Sequence, residues 1–368
     1  MTIWVVGHLV EVNSNLKASG FIHNNGPQRA ARKNVSDLPK DLFASGVGDQ
    51  ALENSAVLKK MVAKGGRLHD INGEKRIQLG NDWFRPYENR EGYDENFLGT
   101  RLEMPQLDPS VADQASKRID DPNKSELEYT HFSIVQNKER KMPFFTAVNI
   151  DGAQVKDVER SGKWLFDPRI PREDQLGNEA YKQNDIDRGH MVRRRDSTWG
   201  SNAEQGSTDT FVYTNAALQH KDLNQDEWLD LEDRILNKAD ATDSKMTVFT
   251  GPVFRDDDPS FDNGGKMAEP TKIPQEFWKV VAWNDPEKGL QSEAFVMSQR
   301  ADLAGKGNPD EELVNEADFN MYRVPISQLE EMTKLKFPGL SKTNDCQSCS
   351  LMDPSKCVSE QIPTLATA

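Results

Sequence analysis

The chain has 368 residues, and cysteine is nearly missing from them: three are present, Cys346, Cys349 and Cys357, all close to the C-terminus. A disulfide framework for the main body is therefore excluded. The spacing of the three could suggest zinc, but a structural site wants four ligands and no histidine follows His220. A free or locally disulfide-bonded tail fits better. No apolar run approaches the roughly 18 residues of a membrane span. Collagen periods, sustained heptads and internal repeats are also missing. Positive charge is in short supply, with 46 Lys and Arg against 60 Asp and Glu and a net of −14. A surface that sticks to nucleic acid everywhere is thus excluded, while a locally basic cleft is not. Met1 to Val12 lacks a basic n-region and is interrupted by His8 and Glu11, so no signal peptide is expected. Export and retention both remain open.

What is present is a polar but foldable composition. Apolar residues make up 36%, and with the 24 glycines the share is about 43%, against roughly 45–50% in globular chains. Periodicity predicts a strand over Ile3–Val12 and a helix over Gln50–Lys64, stopped by Gly65-Gly66. Gln28–Asp41 is first basic, then polar and Pro-containing. After about Asn89 the pattern is denser. Turn residues surround an apolar anchor in Gly92–Gly99. Strands are expected at Tyr129–Gln136, Phe144–Ile150, Phe211–Thr214, Met246–Thr250, Trp278–Trp283 and Glu293–Ser298. Asn224–Leu236 reads as an amphipathic helix with Trp228, Leu231 and Ile235 on one face. Ile326, Leu329 and Leu335 suggest a last short helix. This gives three parts: an N-terminal extension of unread role over 1–88, a main domain over 89–340, and a cysteine-containing tail over 341–368.

The chemistry concentrates at Asp187-Arg188-Gly189-His190, followed by Arg193, Arg194 and Arg195. Between Ile186 and Asp196 four arginines face two aspartates, a positive island on an acidic chain. A phosphate-binding cleft needs such an island; a solvated turn could also carry it. Asn224 follows His190 by 34 residues, and Glu232 lies two helical turns beyond it on the same side. Alone, an asparagine there is an N-cap and a helical glutamate is a solvated charge. Together, a strand with His190 near its beginning, a loop and a helix offering Asn224 and Glu232 could converge on one ion.

This combination resembles the DNA/RNA non-specific endonuclease family of the ββα-metal (His-Me finger) superfamily. Asp187, Arg188, Gly189 and His190 match its D-R-G-H. Asn215, Gln219, Asn224, Trp228, Leu231 and Glu232 match N-x-x-P-Q-x4-N-x3-W-x2-L-E at the same spacing, with Leu218 in place of the proline. The stretches Phe144–Gly152, Asp167–Ile170, Phe249–Phe254 and Ile273–Lys279 are similar too, so the likeness runs from Gly92 to Pro338. It implies an α+β fold, a central, mostly antiparallel sheet flanked by helices. It further implies a metal-dependent endonuclease acting on DNA and RNA with little sequence or sugar preference. By the resemblance, His190 is the general base and Asn224 holds a single Mg²⁺, for which Mn²⁺ can substitute. Glu232 holds metal-bound waters and Arg188 contacts the scissile phosphate. Asp187 orients its neighbours, Asn215 lies close to the site, and Arg160 is a further phosphate ligand. The resemblance allows a homodimer. A non-specific nuclease endangers its own cell and no clear export signal is seen, so an inhibitor protein is a further candidate partner; no membrane partner is expected. The competing expectation is a nucleic-acid-binding protein that keeps the fold without the catalysis.

Overall fold

The computed structural model describes residues 2–5, 8–11, 56–71, 74–80, 82–85, 87–160, 162–225, 227–241, 244–300, 303 and 321–340. The basic stretch Gln28–Asp41, the first part of the helix expected from Gln50, and all three cysteines lie outside them.

The body is a seven-stranded antiparallel sheet. In chain order its strands are β1 (Glu126–Tyr129), β2 (Phe132–Asn137) and β3 (Met142–Asp151). After a separate ribbon, β4 (Ile186–His190) with β5 (Ala216–His220), come β6 (Lys245–Val253), β7 (Glu276–Asp285), β8 (Gly289–Ser298) and β9 (Met321–Arg323). The spatial order is β9-β8-β7-β6-β3-β2-β1. Two helices follow the ribbon, α1 (Lys221–Gln225) and α2 (Glu227–Ala241); α3 (Ile326–Thr333) lies near the end.

The central strands form because their residues are apolar on both faces. Along β7, Phe277 and Val281 join one core while Trp278, Val280 and Ala282 join the other. That alternation is the period-2 geometry of a strand buried on both sides. β3 behaves alike, with all ten residues buried. Its ladder with β2 slips between Val135–Phe145 and Gln136–Pro143, which leaves Phe144 as the extra residue of a bulge. Pro143, which has no N–H to give a ladder, stands at this irregularity. Trp228, Leu231, Ile235, Leu236 and Ala239 of α2 fill the first core, so the ribbon and α2 sit on that face.

Several expectations are corrected in detail. The segment read as one strand over Ile3–Val12 is two short paired strands, Thr2–Val5 and His8–Glu11. Tyr129–Gln136 is likewise two strands, turned at His131, whose φ of 70° a continuous strand cannot hold. Phe211–Thr214 is not a ladder strand: Val212 makes a lone bridge to Leu165, and Tyr213–Asn215 coils into a 3₁₀ turn. The expected helix Asn224–Leu236 is split into α1 and α2, with Asn224 near the end of α1 rather than at a helix start. Leu335 lies beyond α3, in a two-residue strand paired with Gln106–Leu107.

Residues before 89 are built onto this body. Helix Ala56–Ala63 and the three-stranded sheet Arg67–Ile71, Glu74–Leu79 and Asp82–Phe84 supply Leu58, Met61, Val62, Leu68 and Ile77 to the first core. Arg85 is fully buried, donates to the Thr208 carbonyl and lies 3.8 Å from Asp209. Asp209 also accepts from Arg90 at 2.7 Å and from the Thr130 hydroxyl at 2.8 Å. A buried carboxylate with several donors is a strong local clasp.

Candidate active site

The D-R-G-H motif is the strand β4, and it pairs with β5 in register: Asp187 with Gln219, Arg188 with Leu218, Gly189 with Ala217, His190 with Ala216. His190 is therefore at the end of its strand, not near its beginning. The segment Ala216–His220, which no strand signal marks, becomes a strand because β4 supplies its partner. Leu218, the one departure from the family pattern, is fully buried there.

Gly189 is required by a close approach. A Cβ at this position would stand 1.9 Å from Oε1 and 2.4 Å from Cδ of Gln219, whose side chain is fully buried. Gly189→Ala should thus cost roughly 1–3 kcal/mol, the usual penalty of overpacking. A urea unfolding midpoint would check this. The double variant with Gln219→Ala should recover much of the loss, and no recovery would place the clash elsewhere.

The His190 ring packs against Trp164, with centroids 4.8 Å apart, and edge-on to Phe211 at 5.3 Å. Its Nε2 is buried and has no hydrogen-bond partner among the described residues. Burial first, then the positive charges of Arg160, Arg194 and Arg188, push its pKa down to about 3. The imidazole is neutral at pH 7 and can accept a proton. Arg160 lies over the same Phe211 ring at 5.6 Å. Arg188 donates to the Asn178 side chain and lies 5.8 Å from the Trp164 ring and 5.3 Å from that of Tyr181. Arg194 is held by the Val158 carbonyl at 2.7 Å and the Ser207 hydroxyl at 3.3 Å.

Asp187 ties α1 to the strand. Its Oδ2 accepts from Asn224 Nδ2 at 3.0 Å and from Gln225 Nε2 at 2.8 Å. An ionised carboxylate only accepts, so the Asn224 nitrogen must face it. The carboxamide oxygen of Asn224 is thereby turned away from Asp187.

Asn215 and Glu232 are both buried. Asn215 is fully buried; its oxygen accepts from the Val192 N–H at 2.8 Å, and its nitrogen donates to the carbonyls of Val192 and Thr210. Its carboxamide is spent on shaping the chain that leaves His190. Glu232 is buried, 3.4 Å from Lys279 Nζ and 3.8 Å from Arg193 Nε. Burial, the largest cause, raises its pKa against the pull of Lys279 and Arg193. Asp196 is also buried, and burial and the neighbouring Glu232 push its carboxyl up.

Sequence reasoning missed Lys279 and Trp164. Lys279 is 1% exposed, bonded to the Thr250 hydroxyl at 3.1 Å and seated over the Trp228 ring at 4.6 Å. The available signal was one cation inside an apolar strand, Phe277 to Ala282. For Trp164 no sequence signal exists, because its contacts with His190 and Arg188 are made only in the fold.

A two-stranded ribbon running into a helix, backed by an antiparallel sheet, is the unit that defines the ββα-metal nuclease scaffold. The profile of the DNA/RNA non-specific endonuclease family matches residues 112–344, and the chain belongs to that family. It is similar to the uncharacterized protein y4fB of Sinorhizobium fredii, with 36% identity over 79% of this chain and 44% of that protein. Mitochondrial endonuclease G of Bos taurus is 25% identical over 44% of this chain and 50% of its own. A salivary endonuclease of Lutzomyia longipalpis is 27% identical over 46% and 38%. The chain thus spans half or less of the length of these relatives. A crystal structure of the EndoG/EndoGI complex aligns with a TM-score of 0.45 and 19% identity, covering 58% of this chain and 85% of that one.

Proposed function

We propose that this chain hydrolyses phosphodiester bonds in DNA and RNA, with little preference for sequence or sugar, using neutral His190 to take a proton from the attacking water. The observation that carries this reading is the His190 Nε2, buried without a partner among the described residues and under the positive charge of Arg160, Arg194 and Arg188. A base must be unprotonated to act, and burial, with the three cations after it, keeps it so. The cations also suit a phosphodiester, and Arg188 is braced by Asn178 and two aromatic rings. Contacts to the backbone phosphate carry no sequence information, which fits broad substrate use.

A hydrated Mg²⁺ fits the residues present. Among the described residues no three His, Cys, Asp or Glu side chains converge as a ligand cluster. Mg²⁺ takes oxygen ligands and keeps several waters, so one carboxamide oxygen with waters is a suitable donor set. Asn224 would hold it through the oxygen that Asp187 leaves free, and Mn²⁺ would substitute. When bound, such an ion supplies positive charge at the leaving 3′ oxygen. Glu232, held by Lys279 and Arg193 on the helix after Asn224, would accept from waters bound to the ion.

Plasmid DNA and RNA incubated with the chain, with Mg²⁺ or with chelator, test the reading. Cleavage with Mg²⁺ alone supports it; a shifted but uncut DNA band would make the chain a binder. Asp187→Asn should raise the Mg²⁺ concentration for half-maximal rate by roughly 10–100-fold, the usual effect of losing a group that orients a ligand. Asn224→Ala should raise it further. An unchanged metal titration in Asn224→Ala would remove that residue from the site.

A further inference from the structure

We propose that the cavity beside Trp164 is a subsite for one unpaired nucleobase of the substrate, stacked on Trp83 and Trp164 next to the phosphate to be cut. The inference rests on the nuclease reading above and names a part of the substrate that reading leaves free. The cavity measures about 270 Å³ and is walled by Trp83, Trp164, Phe166 and Tyr213, with Asp82, Glu179 and Lys163 as its charged lining. That volume is just under the roughly 300–1,000 Å³ of drug-sized pockets, which suits one planar ring system rather than a base pair.

Its position ties it to the reacting phosphate. Trp164 touches the His190 ring on one side and lines the cavity on the other. Asn178 also lines the cavity and accepts from Arg188. A nucleotide whose phosphate meets Arg188 therefore has its base within reach of these walls. The aromatic set is packed from behind: Phe166 stacks on Tyr213 at 4.5 Å, and Trp83 packs against the His69 ring at 4.8 Å.

With Asp82 and Glu179 against the single cation Lys163, the lining is net negative, which suits a base better than a second phosphate. The Asp82 and Glu179 carboxylates repel phosphate and accept from ring or amino N–H groups. Arg172 keeps both in place, 3.9 Å from Asp82 and 3.4 Å from Glu179. Trp83 belongs to the strand Asp82–Phe84, outside the family-matched residues 112–344. One wall of the subsite thus comes from the N-terminal extension, which gives that segment a role in substrate selection.

The test is steady-state cleavage of a short single-stranded DNA and of the same sequence as duplex. Trp83→Ala should raise KM on the single strand roughly 5- to 150-fold, the loss of one base–aromatic stack. It should leave kcat, and KM on the duplex, near wild type, because paired bases cannot enter. Trp83→Phe should restore most of the single-strand KM. An equal change on both substrates, or none, would overturn the subsite. A second arm uses the unaltered protein, so it decides the matter even if Trp83→Ala fails to fold. Cutting of a single strand carrying one abasic position should drop at the adjoining phosphates, and even cutting would overturn the proposal. If wild type cuts neither substrate, the nuclease reading fails by itself. Fluorescence anisotropy of labelled single strand in chelator, wild type against Trp83→Ala, then still decides the base subsite.

Discussion

His190→Ala should lower the rate of DNA and RNA cleavage by roughly 10²–10⁴-fold, the contribution of a positioned general base. Arg160, Arg188 and Arg194 stay in place, so substrate binding in chelator should be nearly unchanged. The half-buried ring touches Trp164 and Phe211 but makes no hydrogen bond through Nε2, so the fold should survive. Wild-type cleavage by His190→Ala would end its assignment as base. The pH profile adds a signed check. The pKa of His190 is lowered, to about 3, so its neutral form persists well below the ordinary histidine range near 6.5. The acid limb of kcat/KM, which reports the free enzyme, should therefore fall below pH 6. A bound phosphate offsets the arginines and raises the same pKa, so the acid limb of kcat should lie at higher pH than that of kcat/KM. The reverse order of the two limbs would contradict the role of the three arginines.

Lys279→Met carries the second large effect, this time on stability. The change removes the ammonium that faces Glu232, with Asp196 close by, in a region that excludes water. Breaking a buried ion pair from one side costs roughly 3–5 kcal/mol, and here the remaining carboxylates keep only the more distant Arg193, 3.8 Å from Glu232. The loss should depend on pH. Burial raises both carboxyls above their unfolded values, so the folded variant takes up protons more readily than the unfolded chain. Its deficit should shrink as pH falls from 8 to 5 and grow again as pH rises. Urea unfolding at the two pH values measures this. Adding Glu232→Gln to Lys279→Met should recover part of the deficit at neutral pH. A deficit under about 1 kcal/mol at every pH would mean that the cluster does not lean on Lys279.

The strands of the main sheet were legible because their apolar character is local. Phe144–Ile150, Met246–Thr250, Trp278–Trp283 and Glu293–Ser298 each fall inside an observed strand. The buried stripe Trp228, Leu231 and Ile235 was legible for the same reason. What could not be read depends on partners distant in sequence. Ala216–His220 is a strand only because Ile186–His190 lies beside it. Asn215 and Asn224 are both asparagines in the same motif. One is buried with its carboxamide spent on Val192 and Thr210; the other donates through its nitrogen to Asp187. No spacing rule separates these two uses of one side chain, since the difference lies in which donor or acceptor the fold brings near. The break at His131 escaped for a related reason. Its residues favour extended backbone, and the turn is imposed by the pairing of β1 with β2.

The two-faced sheet sorts the consequences of change by odd and even position. On β7, residue 279 faces the ribbon and α2, while 278 and 280 face the opposite layer with Phe337 and α3. Random variation along this strand should then separate into two phenotypes. Even positions would alter how much folded protein a cell accumulates, and odd ones would also alter how fast each molecule works. A deep mutational screen that records abundance and turnover separately would find them interleaved residue by residue, the signature of a wall that serves as foundation on one side and workbench on the other.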